Sequence, residues 1–399
     1  MQVDGFRGWW VLGITCLIVA LSNGMTLGGI TVFDASLLEA LGAGRAELKF
    51  RDLVQMLTAA AAAPLLGLLA DRVGVRPLMI AGLVLLAAGF AGYSRVDSLA
   101  GVYLLHVLLG LGLSSTGLVL AVSVVSRWFT RRRGLALGLV LAGASVGNGL
   151  LPLLNAHLNA SLGWRGAFLA LAALPLLLVP LVLWRAVDRP AADAGPADGP
   201  ASGDGAAGNA AFRRALRDRD FLLLALIAFC TFLSLVGLTA HLFLILRDQG
   251  LPDTHAAAGL TLLFAMGLAG KLLAGVGADR RGLRPVFLTC LGTMVLGAVL
   301  LALAGGGAPW LAIGVVGLGW GGIYTMQQLA AAQLFSGPAL GRIVGTLVLV
   351  DSTGAALGPW GLGALYDRHA SYDVAFALLV ALLAASWVAA LFLRLPARG

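Results

Sequence analysis

Runs of roughly twenty apolar residues, separated by short charged joins, recur along almost the whole of this 399-residue chain. That length matches the hydrocarbon core of a bilayer, which a helix of about 20 apolar residues crosses. Twelve such runs are read at about 9–33, 50–70, 76–94, 99–126, 134–158, 165–185, 220–246, 256–278, 284–304, 309–334, 342–365 and 373–394. Composition agrees: 59% of residues are hydrophobic and only 12% charged, with a mean hydropathy of +0.94. A soluble domain of this size needs far more surface charge, so lipid is its main solvent. The expected fold class is an all-α membrane protein, with twelve transmembrane helices in two pseudo-symmetric six-helix bundles.

The net charge of +8 does not point to nucleic acid, because the cations lie in short clusters between apolar runs, as at Arg131, Arg132 and Arg133. Arginine and lysine are retained on the cytoplasmic side of a membrane. With the N-terminus inside, nineteen cations fall in cytoplasmic segments and seven in outer ones. Both termini are therefore expected in the cytoplasm, in a bacterial inner membrane. The first apolar stretch continues to Phe33 without a small-residue cleavage site, which reads as a span and not a cleaved signal. Cys16, Cys230 and Cys290 all lie inside apolar runs and read as small buried residues. A Pro/Gly/Ala/Asp-rich stretch at 187–219 reads as a cytoplasmic linker ending in a short basic surface helix. It separates an N-terminal bundle at 1–186 from a C-terminal bundle at 220–399.

The two bundles read as repeats. Gly67-Leu-Leu-Ala-Asp71-Arg72-Val-Gly74-Val-Arg76-Pro77 returns 208 residues later as Gly275-Val-Gly-Ala-Asp279-Arg280-Arg-Gly282-Leu-Arg284-Pro285, with seven of eleven positions identical. At an offset of 207, Gly134, Gly138, Ser145, Gly147 and Pro152 match Gly341, Gly345, Ser352, Gly354 and Pro359. Duplicated halves of this kind place a substrate site at their interface near the midplane. The Asp and Arg residues of the repeated loop, Asp71, Arg72, Arg76, Asp279, Arg280 and Arg284, together with Arg131 and Arg132, are candidates for a gate of breakable charge pairs. Positive-inside anchoring alone explains the arginines but not the repeated Asp and Gly.

This loop element resembles the signature of the major facilitator superfamily, and the resemblance spans the chain. Arg127-Trp128-Phe129-Thr130-Arg131-Arg132-Arg133-Gly134-Leu135-Ala136-Leu137-Gly138, continuing through Ser145 and Gly147, is similar to the fifth-helix motif of monocarboxylate transporters. Asp4-Gly5-Phe6-Arg7-Gly8-Trp9 is a looser version of their first-helix motif. Ile30-Thr31-Val32-Phe33 and the segment His241–Gly250 resemble both that group and the oxalate/formate antiporters.

Ionisable residues within spans narrow the candidates further. Lys271 lies inside the run 256–278, in a chain with 25 Arg and only two Lys. A cation at a span centre costs about 2.5–3.5 kcal/mol on insertion scales, which favours a function over an accident, although snorkelling is open to it. The resemblance implies the same, since both related groups carry a functional Arg on this helix. Asp351, on the eleventh span, lies at a comparable depth and is its expected partner, because a nearby cation stabilises a carboxylate's charged form. Monocarboxylate transporters place an acid where this chain has Gly267, and a first-helix Lys where it has Gly28. Trp320 and Tyr324 share a face of the tenth span, with a spacing similar to an aromatic pair of the oxalate transporters. His241, Asn148 and, less directly, His106 and Asn155 are further candidates. Lys49, Arg51 and Asp52 at the outer start of the second span read as a solvated cluster.

No Walker loop and no metal-spaced His pair occur, and the five His are scattered. The expectation is therefore a secondary active transporter and not an enzyme. It would move a small organic anion, a monocarboxylate, with protons; an exporter of drugs or hydrophobic metabolites is the alternative. The expected partners are that anion, protons and membrane lipid, with no nucleic acid, no cofactor and no metal, and the monomer as the working unit.

Overall fold

A computed structural model describes residues 6–129, 132–184, 206–303, 309–335 and 339–395. These form helices α1 (Phe6–Asn23), α2 (Asp34–Leu41), α3 (Arg45–Val73), α4 (Val75–Tyr93), α5 (Leu99–Thr116), α6 (Leu118–Trp128) and α7 (Arg133–Trp184). After the linker come α8 (Ala206–Leu216), α9 (Arg219–Asp248), α10 (Asp253–Arg281), α11 (Leu283–Leu303), α12 (Trp310–Leu334), α13 (Leu340–His369) and α14 (Asp373–Leu391). Among the described residues, ten stretches are long and apolar enough to cross a membrane. One of them, Gly134–Trp184, holds two helices, because Gly163 has φ 68° and ψ 166° inside α7. With α12, which has the length of a span, the helices are consistent with the expected twelve crossings. The expected basic surface helix is α8, whose Arg213 and Arg214 are exposed; the rest of the linker, 185–205, lies outside the described residues.

The side chains are distributed as lipid demands. Leu65, Leu177, Leu303 and Leu311 face outward, while Thr15, Thr26, Gln55, Asn148 and Asn155 are buried. Several buried hydroxyls are satisfied within their own helices: Thr15, Thr26 and Thr231 donate to carbonyls four residues earlier. That local bonding lets polar residues sit in a helix that has no water to turn to.

By contact the described chain divides into two units. The first holds residues 6–184 with 242–261, and the second holds 206–241 with 262–395. Segment 242–261 joins the first unit through an Arg45 Nη2 to Asp248 ion pair at 2.8 Å and a 2.6 Å hydrogen bond donated by Thr261 Oγ1 to the Gly149 carbonyl.

The repeat is visible in the backbone. Left-handed joints occur at Gly42, Gly74 and Gly163, and again at Gly250, Gly282 and Ala370, spaced by 208, 208 and 207 residues. Gly74 (φ 86°) and Gly282 (φ 87°) belong to the repeated loop element, so its glycine answers a conformational need that other residues meet only with strain. The second echo answers a packing need. A Cβ at Gly147 would lie 1.8 Å from the Ala20 carbonyl of α1, and one at Gly354 would lie 2.5 Å from the Phe229 carbonyl of α9. Gly143-Ala144-Ser145-Val146-Gly147 carries the letters of a nucleophile elbow, but that motif needs a strand-to-helix turn. Here the five residues are uninterrupted helix packed on α1.

The first span is not a continuous α-helix. It passes from α1 into a π-helical turn at Gly24–Gly28 and a 3-10 turn at Gly29–Phe33 before α2. Side chains from two other helices hold this segment: Gln55 of α3 donates to the Thr26 carbonyl at 3.3 Å, and Asn148 Oδ1 of α7 accepts from the Gly28 N–H at 2.9 Å.

Candidate substrate site

In the second unit, α10 and α12 cross at backbone contact. A Cβ at Gly270 would lie 2.1 Å from the Leu318 carbonyl, and one at Gly321 would lie 1.9 Å from the Gly267 carbonyl and 2.7 Å from the Lys271 amide nitrogen. Close-packed glycines thus fix the root of Lys271, whose side chain is half-buried. Trp320 covers Gly267, with its ring 3.1 Å from where a Cβ would stand, and meets Phe264 edge-on at 5.2 Å. Tyr324, one turn along α12, meets Phe232 of α9 edge-on at 6.1 Å.

One turn further, Gln327 is buried, and it lies beside Asp351 of α13. Tyr324 also borders that carboxylate. Asp351 is 4% exposed, and its Oδ1 has no hydrogen-bond partner in the protein, nor has Oε1 of Gln327. Buried polar atoms are overwhelmingly satisfied, so two open acceptors side by side have room for the bond of a donor. Trp320, Tyr324 and Gln327 stand at i, i+4 and i+7, one face of a helix. That periodicity is the signal that would have added Gln327 to the candidates.

Two other candidates are engaged by the fold. His241 of α9 is fully buried, with Nδ1 2.8 Å from the Tyr372 hydroxyl and Nε2 2.8 Å from the Pro359 carbonyl. A carbonyl only accepts, so Nε2 carries the proton, and Nδ1 accepts from the tyrosine. His241 therefore ties α9 to α13 and to the start of α14. Asn148, in the first unit, uses Oδ1 on Gly28 and Nδ2 on the Ala144 carbonyl at 2.9 Å. His106 bonds the Tyr93 hydroxyl at 2.9 Å. Asn155 is fully buried, with neither of its amide atoms bonded.

The candidate gate residues follow the repeat. Arg76 donates to the Leu183 carbonyl at the end of α7, and Arg284 donates to the Leu391 carbonyl at the end of α14, at 2.9 Å. Donor and acceptor are both offset by 208 residues, so the same arginine caps the same helix end in each half. A cation there also meets the negative end of the helix dipole. Arg127 reaches the Ala70 carbonyl at 3.5 Å. Arg72, Arg132, Asp279 and Arg280 are exposed; Arg131 and the side chain of Asp71 lie outside the described residues.

One expectation is corrected outright. Lys49 and Arg51 are not solvated; both are 0% exposed. Lys49 Nζ and Arg51 Nη2 each bond one oxygen of Asp34, itself fully buried, and Asp52 completes the group at 3.7 Å from Lys49 and 3.5 Å from Arg51 Nε. Sequence reasoning began the second span at residue 50, at the edge of the apolar run. The helix in fact begins at Arg45, where Glu47 Oε2 accepts from the Gly44 N–H at 3.0 Å, one half of a capping box. The start is thus a full turn earlier, which carries Lys49 and Arg51 inside. Asp34 was missed because it falls just beyond the first apolar run.

A family model described as Major Facilitator Superfamily matches residues 15–330 and 254–399. The chain belongs to the major facilitator superfamily. Rat monocarboxylate transporter 3 is 30% identical over 387 residues, covering 94% of this chain and 77% of the relative. Human monocarboxylate transporter 11 is 32% identical, covering 94% and 80%. These likenesses set the chain in the monocarboxylate transporter branch. Among solved structures, an inward-facing, occupied bacterial homolog of the human lysosomal transporter Spinster superposes with a TM-score of 0.74 over 96% of both chains, at 16% identity. That likeness concerns the fold.

As a superfamily member the chain is a multi-pass membrane transport protein, and its two departures from the branch acquire physical reasons. An acidic side chain at Gly267 would start 3.1 Å from the Trp320 ring, which would have to give by a few tenths of an ångström. A lysine at Gly28 would start 2.9 Å from both the backbone oxygen and Oδ1 of Asn148. In each case another side chain occupies the space where a charge would begin.

Proposed function

We propose that the protein carries a small monocarboxylate, of lactate or pyruvate type, together with a proton, by alternating access. The observation that carries this reading is Asp351: a carboxylate buried in a span, beside Tyr324 and Gln327, with one oxygen left open. In the proposed cycle Lys271 and Asp351 neutralise each other until the substrate carboxylate takes Lys271. Asp351 then holds a proton, so that the loaded site again has no net charge. A neutral load is the cheapest one to move through a low-dielectric path. The relatives named monocarboxylate transporters support the substrate class. The working unit is a monomer of two six-helix halves, 1–186 and 220–399, joined by the 187–219 linker, with both termini cytoplasmic and no cofactor.

Proteoliposomes test the proposal. Saturable uptake of a labelled monocarboxylate, accelerated by an inward proton gradient and lost in Lys271→Gln, is the expected result. Efflux of lipophilic cations without carboxylate uptake would replace it with the exporter reading.

A further inference from the structure

The second unit carries a groove of about 250 Å³ along α10 and α11, whose lining includes none of the residues assigned to substrate or proton. Its α10 wall is Leu273, at the lipid-facing edge, with Gly270, Ala274, Gly277 and Arg281. The last four run the length of the groove. These stand at i, i+4, i+7 and i+11, a single face of the helix. Three small residues therefore open the groove, and a cation closes one end of it. The facing wall includes Thr289 and Thr293 of α11. Their hydroxyls are turned onto backbone carbonyls, Thr289 to Pro285 at 2.8 Å and Thr293 to Thr289 and Cys290 at 3.0 and 2.8 Å. What they leave for the groove is apolar. The neighbouring Leu272, Leu273 and Val276 are exposed, so this side of the unit faces lipid.

Length and charge decide what fits. From Gly270 to Arg281 is eleven residues, or about 16 Å of helix at 1.5 Å each. One leaflet's share of a bilayer core about 30 Å thick is nearly the same. Arg281 is exposed at the end of α10 and makes no ion pair among the described residues. Arg280 and Arg284, also exposed, add positive charge at the same end; Asp279 falls off the stripe, two residues away. A basic mouth at headgroup depth over an apolar slot one leaflet long is complementary to an anionic lipid. We propose that the groove binds one acyl chain of an anionic glycerophospholipid, with its phosphate on Arg281.

The test is photo-crosslinking of the full-length protein in nanodiscs, using phosphatidylglycerol with a diazirine in its acyl chain and the matching phosphatidylcholine as the comparison. Adducts mapped by mass spectrometry should concentrate on residues 270–293, at least fivefold more with the anionic probe. Arg281→Gln should bring the yield down to the phosphatidylcholine level, with an unchanged thermal midpoint. Thr289→Trp, a substitution at an exposed position that fills the slot, should lower it while leaving the arginines in place. Adducts spread evenly over the lipid-facing helices, equal yields from the two probes, or full yield in both variants would each overturn the assignment.

Discussion

Each half of the molecule buries ionisable groups, and the two sets are built on opposite lines. In the N-terminal half, Asp34 gives one oxygen to Lys49 and the other to Arg51, with Asp52 alongside, so two cations meet two carboxylates. In the C-terminal half, Asp351 keeps an open oxygen beside Tyr324 and Gln327. A group whose charges balance one another is closed in charge, although Arg51 Nε and Nη1 and Asp52 Oδ2 make no hydrogen bond, and it holds elements in place, here the end of the broken first span against α3. An open one can exchange partners, which is what carrying an anion with a proton demands. The repeat sharpens the contrast. At matching offsets Lys271 falls on Ala63 and Asp351 on Ala144, while Asp34 and Arg51 fall on Leu242 and Gly259. Joints and helix caps recur in both halves, but neither set of buried charges does.

The largest effect is expected at Lys271. Lys271→Gln should abolish monocarboxylate uptake in proteoliposomes while leaving the protein folded, and Lys271→Arg should retain part of the rate. Asp351→Asn should keep binding but lose acceleration by a pH gradient; undiminished coupling there would remove Asp351 from the proton's path. The closed group should respond oppositely. Asp34→Asn leaves two buried cations short of a partner, and breaking a buried pair from one side costs about 3–5 kcal/mol. Thermal unfolding in detergent should register that loss in full. A well-folded Asp34→Asn protein with defective transport would break the comparison, because it would place the closed group in the transport cycle.

A narrower effect is expected at Gly267. Gly267→Asp should depress uptake by displacing the Trp320 ring, which stands 3.1 Å from the new Cβ. Trp320→Ala in the same chain should recover part of it. If the single substitution is silent, the ring moves freely and does not wall the site.

What could be read beforehand followed the strength of the physical signal. Spans, loop glycines and the duplication were legible because hydropathy runs over twenty residues and the Asp-Arg-Gly-Arg-Pro spacing recurs intact. Lys271 and Asp351 stood out because a charge inside an apolar run is costly. The Asp34 group was not legible: its members lie at the edges of two apolar runs, where charges normally meet water. Only the early start of α3 turns them inward. Gln327 was hidden for another reason. An uncharged polar residue in a span gives little hydropathy contrast, and its role comes from Asp351 on a different helix. The arginines of the repeated loop were recognised, but not their acceptors, since a carbonyl leaves no mark in a sequence.

The smallest expected effect bears on the duplication itself. Five of the six left-handed joints hold glycine, and the sixth, Ala370, adopts φ 53° at the end of α13, where its N–H donates to the Tyr366 carbonyl at 2.7 Å. Its counterpart in the first half is Gly163, 207 residues earlier. A left-handed conformation costs a residue with a Cβ about 1–2 kcal/mol. Replacing it with glycine returns part of that gain, roughly 0.4–1 kcal/mol, as entropy of the unfolded chain. Ala370→Gly should therefore raise stability by somewhat under about 1 kcal/mol, seen as a small increase in thermal midpoint with uptake unchanged. The substitution Gly163→Ala should lower stability by more, about 1–3 kcal/mol, because φ 68° with ψ 166° is a region that only glycine occupies without strain, whereas Ala370 pairs φ 53° with ψ 22°. A loss no larger than the gain at Ala370 would show that the Gly163 joint relaxes on substitution, and that the halves share the positions of their joints without sharing their energetics.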